Sequence, residues 1–122
     1  MKININSFAD AGNFQKERVI FKVEADVELG LYAVFCTALS SSGKATAGRK
    51  TAYWFPDGAV KKDDLIVLYT KCGNSSTKEL SGGRTAHFFY WGGDQAMWGN
   101  GGNGAVLLHA SEWAVRSSSS DS

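Results

Sequence analysis

Nowhere in this sequence do apolar residues recur at i, i+3, i+4 and i+7 through three turns, so no segment offers a helix face to bury. The apolar residues come instead in short runs of β-branched and aromatic types, punctuated by Gly, Ser and Asn. Residues 2–8 alternate weakly, with Ile3 and Ile5 on one face. Residues 17–24 alternate clearly: Val19, Phe21 and Val23 fall on one face, and Arg18, Ile20, Lys22 and Glu24 on the other. Residues 31–39 are apolar almost throughout, the pattern of a strand covered on most of its length. Residues 51–55, 65–70, 85–91 and 105–110 complete the set, and Pro56-Asp57-Gly58 marks a turn. Residues 94–98 have room for one helical turn at most. The 14 glycines against one proline supply many turns without stiff linkers. The sequence predicts an all-β chain, a β-sandwich of about seven to nine strands.

A chain of 122 residues can bury one core but not two. Residues 1–116 are therefore expected to form a single domain and the Ser-rich residues 117–122 a flexible tail. The formal charge of +1 is spread evenly along the chain, which excludes a basic arm or an acidic tail. An apolar share of 43% excludes disorder. The start has no apolar stretch of signal-peptide type, and residues 29–39, the longest nearly apolar run, fall short of the ~20 that a membrane helix needs. The expectation is a soluble, cytoplasmic protein. Cys36 and Cys72 are too few for a disulfide framework and are expected as two reduced thiols, with a single bridge between them left open.

The order of features resembles the lamin-tail domain, an immunoglobulin-like β-sandwich. The resemblance runs through Glu17-Arg18-Val19-Ile20-Phe21-Lys22 and the turn Asp26-Val27-Glu28-Leu29-Gly30-Leu31-Tyr32. It continues in Phe55-Pro56-Asp57-Gly58-Ala59-Val60 leading to Leu65-Ile66-Val67-Leu68-Tyr69. It ends with Trp98-Gly99-Asn100 and Ala105-Val106-Leu107-Leu108. The chain departs from the family where Lys22-Val23-Glu24 replaces an Asn-containing step. It departs again where Ala110-Ser111-Glu112-Trp113 replaces the closing hairpin. The resemblance implies a non-enzymatic module that contacts other proteins, and sometimes DNA.

Several motifs lose their chemistry on inspection. Residues 99–104 match G-x-G-x-x-G, but the remaining chain is too short for the helix and second strand of a dinucleotide site. Ser41-Ser42-Gly43-Lys44 and Ser75-Ser76-Thr77-Lys78 match S-x-x-K without the second catalytic domain that motif requires. Cys36, Cys72, His87 and His109 lack the paired spacing of a zinc site, so no metal and no cofactor is expected. Asp57, Asp63 and Asp64 flank Lys61 and Lys62 and do not make a calcium loop. Glu24, Asp26 and Glu28 alternate on one extended segment, and no triad or carboxylate pair can be placed, so the chain is expected not to be an enzyme.

Binding chemistry concentrates in the aromatics, 12% of the chain. Phe88, Phe89, Tyr90 and Trp91 are consecutive, so two must point to each side of a sheet. The expected contact segment is residues 90–103, YWGGDQAMWGNGGN, with Tyr90, Trp91, Gln95, Met97, Trp98, Asn100 and Asn103 as its binding residues. The opposing possibility is that Trp91 and Trp98 plug the end of the sandwich. Lys44, Arg49 and Lys50, with Lys61 and Lys62, would form a basic patch if their loops meet. The function expected is a binding or assembly module for another protein or a second copy of itself. A carbohydrate-binding module is the alternative, a small hydrolase a lower one, nucleic acid a less favoured partner and a membrane none.

Overall fold

The side-chain alternation of residues 18–23 decides how the chain is layered, because every second residue there must be taken out of water. The computed structural model describes residues 1–99 and 101–120. Ten strands run through them: β1 (Ile3–Ala9), β2 (Arg18–Val23), β3 (Val27–Glu28), β4 (Tyr32–Ala38), β5 (Thr51–Trp54), β6 (Ala59–Val60), β7 (Leu65–Tyr69), β8 (Ser76–Glu79), β9 (Thr85–Tyr90) and β10 (Asn103–His109). One sheet has the order β1-β2-β7-β9-β8, a second β10-β4-β5, and β3 pairs with β6. All pairings are antiparallel except β7 with β9, which run parallel with Leu65 opposite Ala86 and Tyr69 opposite Tyr90. Three-residue 3₁₀ turns stand at Leu29–Leu31, Ser81–Gly83 and Ser118–Ser120. Among the described residues no helix is long and apolar enough to cross a membrane.

The two larger sheets share one core. Val19, Phe21 and Val23 of β2, Ile66 and Leu68 of β7 and Phe89 of β9 lie in one buried cluster with Tyr32 and Val34 of β4 and with Phe55. Phe55 is its hub: Phe21, Tyr53 and Phe89 all meet its ring edge-on, with centroids 5.3–5.8 Å away. These T-shaped contacts add stabilisation beyond the buried area.

Seven strands lie on the runs expected from the sequence. The other three, β3, β6 and β8, were not foreseen. Two of them are two residues long, too short to show alternation, and β8 (STKE) is exposed throughout. Ile5 does share a face with Ile3, since Ile3 is opposite Val23 and Ile5 opposite Phe21. Ile5 nevertheless stays partly exposed, because β1 is an edge strand and a bulge follows it. Residues 94–98 bend without forming a helical turn. The consecutive aromatics divide as alternation requires. Phe89 is in the core with Trp91 packed against it, while Tyr90 stacks on Tyr69 across the parallel pair at 5.3 Å on the other face. Arg18 and Lys71 extend over the Tyr69 ring and cover it.

Two measurements check this layering. Far-ultraviolet circular dichroism should show strand without a helical band. Phe21→Ala should cost about 3–5 kcal/mol of stability, the range for deleting a fully buried ring, read as a large fall in the urea midpoint.

Candidate functional site

The segment expected to bind is organised by a residue far from it in sequence. Glu17, just before β2, is completely buried. Its Oε1 accepts the N–H groups of Gly12 (2.9 Å) and Trp98 (3.4 Å), and its Oε2 accepts the N–H of Met97 (2.8 Å) and the Thr70 hydroxyl (2.5 Å). A buried carboxylate is tolerated only when its oxygens are satisfied in this way. The four bonds pin together the turn before β2, the end of β7 and the glycine-rich segment. Gly99 completes the fastening: its φ is +104°, and a Cβ there would lie within 2.9 Å of the backbone of Ala11 and Gly12. Close approach of two backbones explains this glycine of the G-x-G-x-x-G match.

The consequence for the expected binding residues is direct. Trp98 is only 5% exposed and Met97 packs against the core, so both serve as a plug and neither is a projecting contact. Trp98 meets Trp91 edge-on at 6.2 Å and Phe8 at 5.1 Å. Trp91 is half-buried against the same cluster, and the half-buried Tyr90 is engaged by Tyr69. The Asn103 amide donates to the Met97 carbonyl at 3.0 Å. Among the described residues of the set Gln95 alone is exposed, and Asn100 lies outside the described residues, as do Asp121 and Ser122. What remains open at this end is a shallow hollow of about 220 Å³ lined by Phe8, Ala11, Trp98, Gly99, Gly101 and Asn103.

The basic residues divide between the two ends of β5. Lys44, Arg49 and Lys50 precede β5, at the end of the sheet where β4 leaves, since Thr51 is opposite Cys36. Lys61 and Lys62 follow its other end, where Phe55 bonds Tyr32 and the Lys62 N–H bonds Asp26. The length of β5, roughly 13 Å at strand rise, separates the points at which the two segments join it.

Cys36 and Cys72 are both free thiols. Burial, and after it the charge of Glu17, pushes the Cys36 thiol up from its ordinary value. His109 stacks on Tyr32 at 4.8 Å. His87 instead pairs with Asp64, Nε2 to Oδ2 at 2.9 Å, and Asp64 also accepts the backbone N–H groups of Lys61 and Thr85.

A different surface carries exposed aromatics. Ala33 and Phe35 of β4, Ala52 and Trp54 of β5 and Leu108 of β10 turn away from the core. The chain after β10 brings Trp113 edge-on to Trp54, with centroids 4.9 Å apart. With His109 and Ala110 these residues line an open groove of about 370 Å³. Trp54 is 50% exposed and Trp113 57%. The Trp54 indole N–H donates to the Gly30 carbonyl at 2.7 Å, which fixes the ring and removes its donor from any ligand. The signal for this face was present: residues 31–39 are apolar on both sides of the strand. It was read there as a strand covered along most of its length, but the cover is partial. The loop after β4 closes one end, where Leu39 bridges Ala45 and the Thr37 hydroxyl faces the Thr46 carbonyl. Beyond it the face stays open.

No protein-family model and no curated protein matches this chain in sequence.

Three substitutions test the buried carboxylates and the ring that one of them holds. Trp98→Ala should cost about 3–5 kcal/mol as a core deletion, and Glu17→Gln roughly 1–3 kcal/mol for each N–H left facing the new amide. Both are checked by denaturant unfolding, and a Trp98→Ala variant as stable as the parent would return that ring to the surface. For Asp64, burial raises the carboxyl, but hydrogen bonds from His87, Lys61 and Thr85 and the His87 charge outweigh it and hold it below the ordinary range. A depressed folded value stabilises the fold above the unfolded carboxylate range near ~4 and loses that contribution as pH falls through the folded value. Acid titration of stability should therefore be shallower for Asp64→Asn than for the parent below that range.

Proposed function

We propose that this chain is a non-catalytic binding module. It is an immunoglobulin-like sandwich similar to a lamin-tail domain that contacts another protein through the outer face of the β10-β4-β5 sheet. The observation that carries this reading is the pair of half-exposed tryptophans, Trp54 and Trp113, set edge to face over a surface otherwise built of Ala33, Phe35, Ala52 and Leu108. Rigid, partly exposed aromatics beside a small apolar groove are the usual anchors of protein contacts. The fitting partner is a polypeptide segment that inserts an apolar side chain between the two rings.

Carbohydrate recognition is the rival reading, since exposed tryptophans also stack on sugar rings. A sugar needs hydrogen-bonding groups around the stacking ring. Here the Trp54 N–H is engaged internally, and apart from His109, whose ring stacks on Tyr32, the residues lining the groove are Ala, Phe, Leu and Trp. A peptide is therefore the better match.

Panning displayed peptides against the immobilised full chain, with a glycan array in parallel, separates the two. Peptides with an aromatic or aliphatic anchor should be enriched. Trp113→Ala should weaken them by at least about tenfold, as loss of an anchor does, while the melting temperature stays close to that of the parent. Glycan binding abolished by Trp113→Ala would replace this reading with the carbohydrate one. Peptide binding indifferent to Trp54→Ala and Trp113→Ala would remove the face from consideration.

A further inference from the structure

The edges of the two larger sheets are not alike. Hydrogen bonds just outside the strands fix which residues of each edge turn their backbone groups outward. In β10, Ala110 donates to Leu31 and Leu39 donates to Gly102, in one unbroken register with Asn103 opposite Ala38 and His109 opposite Tyr32. Even-numbered residues therefore bond β4. Asn103, Ala105, Leu107 and His109 present their N–H and C=O groups to the open side. The same reasoning leaves β5 only Ala52 and Trp54, because Phe55 bonds Tyr32, and leaves β8 only Thr77 and Glu79, because Leu80 bonds Arg84. β1 is interrupted by its bulge between Ile5 and Ser7. Short length, charge and bulges are the devices that keep sheet edges from pairing. β8 carries Lys78 and Glu79, β5 is short, and β1 is bulged. β10, NGAVLLH, has none of these protections.

We propose that β10 pairs antiparallel with the β10 strand of a second copy of this chain about a two-fold axis at Val106. That register places Asn103 opposite His109 and Ala105 opposite Leu107 in both directions, so all four outward residues of each copy exchange both backbone bonds. Val106 then meets its own symmetry mate on the outer face, and no charged side chain meets its like across the axis. Leu108 falls opposite Gly104 of the other copy, where Leu39 closes over the glycine.

Any extended peptide would satisfy the backbone of β10, but a second copy does more. β1 and β10 lie on the same open side, where Phe8 shares a hollow with Asn103. Ile5 (37%), Phe8 (43%) and Leu108 (37%) are exposed there or at its rim. A lone peptide adds one strand to one layer and leaves the β1 side chains in water. A second copy brings its own β1 beside them. This pairing uses the backbone of the sheet edge and shares only Leu108, His109 and the neighbouring Ala110 with the lining of the tryptophan groove.

The test is sedimentation equilibrium of the full chain, with hydrogen exchange across a range of concentrations. The parent should reach twice its 13.1 kDa. The amides of residues 105, 107 and 109 should gain protection as concentration rises, while those of 104, 106 and 108 stay protected throughout. Val106→Lys and Val106→Glu should each be monomeric, and an equimolar mixture of the two should recover the dimer. A parent that stays monomeric at every concentration, or whose odd-numbered amides never gain protection, overturns the proposal. So does a dimer that survives both substitutions. Because the exchange measurement uses the parent alone, it decides the matter even if the variants fail to fold.

Discussion

Everything at one end of this molecule depends on a buried carboxylate finding four donors. Glu17 offers its oxygens to two N–H groups of the glycine-rich segment, one from the turn before β2 and one hydroxyl from the end of β7. Satisfied in this way, a charge that would otherwise exclude itself from the interior becomes the point at which three loops are held. It carries Trp98 into the core and turns an aromatic, glycine-rich segment from a loop into a lid. Asp64 does the same on a smaller scale at the opposite end, where it ties the turn before β7 to the start of β9 and to His87.

The all-β class and the core face were legible because period-two alternation reports burial directly. Val19, Phe21 and Val23 could be assigned inward from their spacing alone. What periodicity cannot report is contact between distant loops. Glu17 reads in the sequence as one more charged residue at a strand start, and nothing local shows that Thr70, Met97 and Trp98 converge on it. The aromatic density of residues 90–103 was visible, but its burial follows from that convergence. The Trp54–Trp113 pair was illegible for a related reason, since the two rings meet only because the chain after β10 turns back over the sheet.

The two exposed features lie on the same small sheet, β10-β4-β5, and they arise from its size. Three strands face five, the sheet ends in the short β5 on one side and the long, uninterrupted β10 on the other, and its outward face is only partly shielded by the segments at its ends. The larger sheet shields itself with its own long side chains, Arg18 and Lys71 over Tyr69. The smaller sheet turns Ala33, Phe35, Ala52, Trp54, Val106 and Leu108 outward and has no long charged side chain of its own strands to cover them.

The reach of the Glu17 bonds also sets a constraint on synthesis. The carboxylate bonds Thr70, 53 positions away, and Met97 and Trp98, 80 and 81 positions away. A chain emerging from the ribosome exposes β1 and β2 long before those partners exist, and burying β2 then would leave the Glu17 carboxylate with the Gly12 N–H alone of its four donors. The β-rich first half must therefore remain unlocked until residue 98 has cleared the exit tunnel.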